Sequence, residues 1–173
     1  MKVVDDFLPI FEFVPIKDKM ESIDFPWYWQ EHSHGNFIDG KFVGDNVPQF
    51  IHGFVDDGNP NSNYYYLFNC SSCLLKLNVD SVTKLKANCN PKTLEQNTGW
   101  FHTDYEDERK EKITTSILYL NTNNGGTKFE DGTFVKSVAN RIVTFDCSLK
   151  HAPVSCTNES RRIVVNINYY QKK

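Results

Sequence analysis

The sequence lacks any apolar run approaching the roughly 18 residues that read as a membrane-spanning helix. Its opening, Met1-Lys2-Val3-Val4-Asp5-Asp6, is too acidic and too short of apolar residues for a secretory signal. It also lacks a surplus of positive charge: the formal net charge is -3, which removes the electrostatic reason to expect sequence-independent binding to nucleic acid or to an anionic membrane. Internal repeats and low-complexity tracts are missing. Cysteine is sparse and odd in number, five, which fits reduced thiols better than a disulfide framework. These absences lead us to expect a soluble, cytoplasmic protein with no membrane partner. What is present suffices for one core, since 39% apolar residues and 14% aromatics in 173 residues fit a single domain, residues 1–173, with one site.

Helical signals come first. Between Pro9 and Ser22 the apolar residues Ile10, Phe13, Val14, Ile16 and Met20 have a helical spacing, and Pro15 predicts a break or kink. Asn61-Ser62-Asn63 are cap candidates for a second helix running through Tyr64 towards Leu77. Between them, residues 30–58 show no clear period and read as loops with short edge strands. From Val82 onward the chain gives strand-like runs: Thr83 to Asn88, Thr114 to Asn121, Thr127 to Phe129, Arg141 to Phe145, and Arg162 to Tyr170. A helical part over about residues 1–80 followed by a β core over about 82–170 predicts a mainly β (α+β) fold. Its form is a closed double sheet or jelly roll with helices packed on one outer face.

In Trp100-Phe101-His102-Thr103-Asp104 the His and Asp stand two apart, so an extended backbone puts both side chains on one face. His151, placed at the end of a strand-like run just before Ala152-Pro153, offers a third ligand. Two His and one carboxylate on one face of an octahedral ion leave positions open, an arrangement suited to Fe(II) that must bind a chelating co-substrate and O2. Taken alone, a His-X-Asp triplet more often makes only a surface hydrogen bond. The last strand supplies the company that changes this. Its alternation puts Ile163, Val165, Ile167 and Tyr169 on one face, and Arg162, Val164, Asn166 and Asn168 on the other. A polar face on a central strand needs partners, and a guanidinium at Arg162 matches the remote carboxylate of 2-oxoglutarate. Arg161 points the other way. On the run from Thr114, Tyr119 shares a face with Thr115, Ile117 and Asn121, so its hydroxyl either joins Arg162 at that carboxylate or is the wet tip of a core aromatic.

The blocks His102-Thr103-Asp104, Ser116-Ile117-Leu118-Tyr119-Leu120-Asn121, Gly125-Gly126-Thr127-Lys128-Phe129, Arg141 to Asp146 leading to His151, and Arg162-Ile163-Val164-Val165-Asn166 resemble the 2-oxoglutarate- and Fe(II)-dependent oxygenases. The resemblance is to the small prolyl-4-hydroxylase-like members, phage-encoded ones included, which would put the protein in a host cytoplasm. It implies a double-stranded β-helix, an iron triad of His102, Asp104 and His151, and a co-substrate held by Arg162 and Tyr119. It further implies an Asn or Tyr on the strand before the triad at the chelating end of 2-oxoglutarate, which points to Asn88, with Asn90 second. The implied activity is hydroxylation of a C–H bond with Fe(II), 2-oxoglutarate and O2, on a peptide or protein substrate with proline as first guess. Arg162 stands where collagen-type prolyl hydroxylases carry Lys, which loosens the inference to proline. The retained Asp104 favours hydroxylation over halogenation, since similar halogenases lack that ligand. The competing expectations are the same chemistry on a nucleic-acid base or small metabolite, and a jelly-roll binding module without turnover.

Four features stay outside this reading. Cys70-Ser71-Ser72-Cys73 has metal-pair spacing but no second pair, and reads as packing. His32-Ser33-His34 reads as surface near a pocket mouth. The charged run from Tyr105 to Lys112 reads as a solvated connection and candidate lid, and Trp27, Tyr28, Trp29 and Trp100 as aromatics available to the substrate side.

Overall fold

Alternating burial writes the long strands of the second half of the chain. In the computed structural model, residues 1–33, 35–39, 41–44 and 47–172 are described. In chain order the elements are β1 (Lys2–Val4), α1 (Ile10–Glu21), β2 (Tyr28–Gln30), β3 (Gly35–Ile38), β4 (Lys41–Gly44), β5 (Gln49–Asp56), β6 (Asn59–Pro60), α2 (Tyr66–Asn69) and α3 (Cys73–Lys76). Then follow β7 (Val79–Pro91), β8 (Thr114–Tyr119), β9 (Gly126–Phe129), β10 (Phe134–Lys136), β11 (Ile142–Asp146), β12 (His151–Val154) and β13 (Arg161–Gln171).

The large sheet is antiparallel in the order β1-β11-β8-β13-β7-β5-β2, with β6 paired to β5, and a second sheet has the order β10-β9-β12. The two faces of β13 divide as their alternation predicts. Ile163, Val165, Ile167 and Tyr169 join Phe13, Ile16 and Met20 of α1 and Leu67 and Phe68 of α2 in the main core. On the other face Val164 packs with Ile117 and Tyr119 of β8, Val143 and Phe145 of β11, and Phe129 and Val135 of the small sheet. Helices therefore cover the outer face of the large sheet, and the inner face meets the small sheet, a double-stranded β-helix.

Helix α1 is continuous, with Pro15 inside it. The lost N–H does not end the helix, because Phe13, Ile16 and Met20 on its inner stripe are buried. The expected helix from Asn61 to Leu77 is corrected to separate short pieces, a 3-10 turn at Asn63–Tyr65, then α2 and α3. Ser62 does cap the first, accepting from the Tyr64 N–H at 3.1 Å. The interruption lies at Ser71 and Ser72, where Ser71 Oγ donates to the Phe68 carbonyl and Ser72 donates to Glu12 of α1 through both N–H and Oγ. The loop expected over residues 30–58 is corrected at β5, an eight-residue strand paired with the long β7. Its period is broken by a register shift between Gly53 and Val55, which hides the strand from an alternation test.

The thiols are separate. Cys70 is exposed, and Cys73, Cys89, Cys147 and Cys156 are buried and free. Burial pushes Cys73 up to about 12 and Cys89 up to about 11. A thiol reagent is expected to label the native protein once, at Cys70, and the remaining cysteines only after unfolding; mass spectrometry finding Cys73 modified at the same rate would contradict this.

Candidate metal centre and its cavity

Two of the triad residues face each other across a single antiparallel bridge. The His102 N–H donates to the His151 carbonyl and the His151 N–H to the His102 carbonyl, both at 3.0 Å. The ring centroids are 4.6 Å apart. His102 is not within a strand as expected, and Asp104 sits in a bend; His151 begins β12 instead of ending a run. The ligand atoms of His102, Asp104 and His151 nonetheless lie within 4.8 Å of one another, in the one such group of three found among the described residues.

Each ligand is held from behind. His102 Nδ1 lies 3.0 Å from the Trp100 carbonyl and His151 Nδ1 lies 3.1 Å from the Leu149 carbonyl. A carbonyl only accepts, so both Nδ1 atoms carry the proton and the lone pair of each neutral ring is on Nε2. Burial is the main cause that lowers the pKa of His102 to about 4, with His151 adding to it, so this ring is neutral and able to ligate at pH 7. Burial pushes Asp104 up, but His151, Asn168, His102 and Thr115 together hold it below the usual carboxylate value. Asp104 Oδ2 accepts from Asn168 Nδ2 at 2.7 Å and Thr115 Oγ1 at 3.0 Å. Nothing local to the triplet signals these two, which reach it from β13 and β8. Asn168→Ala is expected to weaken Fe(II) or Mn(II) affinity about 10–100-fold, the usual cost of losing a partner behind a metal ligand. Calorimetry showing unchanged affinity would assign Asn168 to packing alone.

The cavity beside the triad is lined by Asn88, Asn90, Thr127, Arg162, Val164 and Asn166 together with His102 and His151. Arg162 is 2% exposed. Its Nη1 donates to Asn90 Oδ1 and its Nη2 to Thr127 Oγ1, both at 3.3 Å, and its Nε has no partner. Tyr119 donates to the same Thr127 hydroxyl at 2.8 Å, and its ring lies under the guanidinium, 5.6 Å from Cζ. Thr127 is therefore a junction that alternation alone does not reveal. It is brought there by Gly126, where a Cβ would collide with the Val135 carbonyl and the Phe134 ring. Asn90 also donates to Gln49 Oε1 at 3.2 Å, so it bridges β5 to Arg162. Asn88 Oδ1 and Asn166 Oδ1, in the same cavity, are buried without a partner. A larger cavity of about 180 Å³ adjoins through Asn90 and Pro153.

The other sequence candidates disperse. Trp27 packs against the main core, its Nε1 donating to the Met20 carbonyl, whereas Tyr28, Trp29 and Trp100 are exposed. Ser33 lines the cavity, and His34 lies outside the described residues. The run after Asp104 is docked: Tyr105 donates to Thr83 Oγ1 at 3.0 Å, and Arg109 pairs with Asp107 and, at 3.4 Å, Asp57. No helix among the described residues is long and apolar enough to cross a membrane.

No family model matches the chain, and no curated protein does. Solved structures do. A prolyl hydroxylase from Trichoplax adhaerens, in complex with a peptide fragment of the hypoxia-inducible factor oxygen degradation domain, superposes with a TM-score of 0.64 at 15% identity, over 98% of this chain and 83% of that one. A 2-oxoglutarate-Fe(II) oxygenase family oxidoreductase from Burkholderia pseudomallei gives 0.63 at 10% identity, over 95% and 81%. HygX from Streptomyces hygroscopicus, with nickel, 2-oxoglutarate and hygromycin B bound, gives 0.60 at 8% identity, over 98% and 82%. The chain has the double-stranded β-helix fold of the 2-oxoglutarate- and Fe(II)-dependent oxygenases, and two members of its His–Asp–His group, His102 and His151, line the cavity.

Proposed function

We propose that the protein is an Fe(II)- and 2-oxoglutarate-dependent dioxygenase that hydroxylates a C–H bond of a peptide side chain, with proline as first candidate. The observation that carries the reading is Arg162, a buried guanidinium with no carboxylate partner among the described residues, in the cavity that the triad borders. Burying a cation without an anion is costly, so the fold is built for a ligand that brings one. The donor set fits the metal: two imidazoles and one carboxylate, each oriented by a second hydrogen bond, suit a hard-to-borderline divalent ion with open positions.

Bound iron, with 2-oxoglutarate and O2, supplies the oxidant for an unactivated C–H bond, and the co-substrate leaves as succinate and CO2. The chain supplies position. His102, Asp104 and His151 hold the ion; Arg162, with Thr127 and Tyr119 behind it, receives the remote carboxylate; Asn88 and Asn90 line the wall between. The adjoining cavity of about 180 Å³ leaves room for an apolar part of a substrate, and the Trichoplax adhaerens relative in fold has a peptide bound.

Under anaerobic conditions the protein with Fe(II) and 2-oxoglutarate is expected to show the weak visible charge-transfer band of an iron-chelated 2-oxo acid, absent in His102→Ala. A proline-containing peptide library should then gain oxygen, by mass spectrometry, only with iron and 2-oxoglutarate present. No band in the wild type would remove the chemistry. Oxidation of a free metabolite or nucleic acid with every peptide untouched would keep the chemistry and remove the peptide.

A further inference from the structure

Besides Arg162, the inner sheet face carries the cations Lys84 and Lys86 on β7, of which Lys86 is the nearer to the cavity. Lys86 on β7 lies opposite Asn166 of β13 and Gly53 of β5 and shares its strand face with Asn88 and Asn90. It is only partly exposed, and no hydrogen bond or ion pair ties its ammonium group to any described residue. Asp104, Asp56 and Lys84 act on it through space, and burial, the largest influence, lowers it to about 8, so it remains a cation at neutral pH. Asp104 is not its partner: that carboxylate is engaged by Asn168 and Thr115.

The position of Lys86 separates it from Arg162, the end of the cavity assigned to the remote carboxylate. The cavity that holds Arg162 is lined by Asn88 and Asn166 but not by Lys86, which stands beyond them. Arg162 lies opposite Asn90, four residues from Lys86, a separation of roughly 13 Å along the strand. The two cations therefore leave the sheet at different places along β7. Beside Lys86, Gly53 is exposed, and a Cβ built on it would meet no atom within 4 Å. Close packing does not demand this glycine. The core shared between the two sheets draws on β8, β11 and β13 of the large sheet and not on β5, so the open space over Gly53 is outside that packing.

Resting on the oxygenase reading above, we propose that Lys86 is a specificity residue for the primary substrate. It receives a carboxylate of an acidic peptide side chain laid over the open space at Gly53, and so directs the neighbouring C–H bond to the triad. Matched proline-containing peptides, with Glu or Gln at successive distances from the proline, test this against the enzyme loaded with Fe(II) and 2-oxoglutarate. Anaerobic calorimetry reads binding, and peptide-dependent succinate formation reads turnover.

In one register the Glu peptide is expected to exceed its Gln twin by at least about tenfold in the wild type. Lys86→Met should level the two. Gly53→Val, which fills the open space while leaving the lysine in the chain, should weaken both peptides, and each variant should keep the charge-transfer band. Equal use of Glu and Gln peptides by the wild type, or no peptide bound while the band is present, would overturn the proposal. So would a band lost in Lys86→Met, which would give the lysine to the co-substrate. A wild type with no band at all would instead overturn the oxygenase reading.

Discussion

On the proposed function, Arg162→Leu is expected to weaken 2-oxoglutarate binding by about 2–5 kcal/mol, roughly 30- to 5,000-fold, the loss that follows when a remote carboxylate is left in a cavity without its charged donor. Arg161→Leu leaves binding within about twofold, because a side chain on the opposite strand face has no path to the cavity. Arg161 Nη2 instead reaches the Glu21 carbonyl, at 3.4 Å, on the helix side of the sheet. The apo proteins give an internal control. Arg162 is a buried cation whose hydrogen-bond partners are one asparagine and one threonine, so its replacement by a shorter apolar residue removes a desolvation cost. The melting temperature of apo Arg162→Leu should equal or exceed that of the wild type. A variant that both unfolds early and binds 2-oxoglutarate normally would make Arg162 structural, and damage from Arg161→Leu instead would mean that the strand faces are exchanged.

How far such a site can be read from sequence depends on whether its geometry is local. The alternation of β13 is local, and it separates Arg162 from Ile163 without any knowledge of the fold. His102 and Asp104 are near neighbours in sequence, but their convergence rests on a single bridge to His151 and a bend, not on the extended run that their spacing suggests. The residues that hold the ligands were not legible. Thr115 and Asn168 meet Asp104 from strands 11 and 64 residues along the chain, and Thr127 meets Arg162 from 35 residues away. Asn88, expected at the chelating end, lines the cavity with an unpartnered oxygen, whereas the second choice, Asn90, is the one that touches Arg162. In the first half, the irregularity at Gly53 breaks the period of two that would mark β5, and the helix expected from Asn61 to Leu77 is interrupted because Ser71 and Ser72 take their hydrogen bonds elsewhere. Alternation and capping rules see neighbours in sequence; a sheet brings together residues that no window spans.

Asp104 is where the two kinds of information meet, and its replacement separates charge from shape. Asp104→Ala is expected to lower Fe(II) affinity by about 3–5 kcal/mol, on the order of 10² to several 10³-fold, since it removes the one negative ligand from a buried cation site. Succinate formation should fall to background. Asp104→Asn keeps an oxygen able to accept from Asn168 and Thr115, so the bend and the two imidazoles stay in place while the charge is lost. If the carboxylate acts through its charge on the metal, Asn and Ala lose affinity together, whereas the apo form of Asp104→Asn melts close to the wild type. If it acts mainly by tying the bend to β8 and β13, Asn restores most of the metal binding that Ala loses. Calorimetry with Fe(II) under anaerobic conditions, or with Mn(II) in air, distinguishes the two. The expected order is wild type far above Asn, with Asn and Ala within about tenfold of each other. Wild-type affinity in Asp104→Ala would show that the three residues, though within 4.8 Å of one another, do not share an ion.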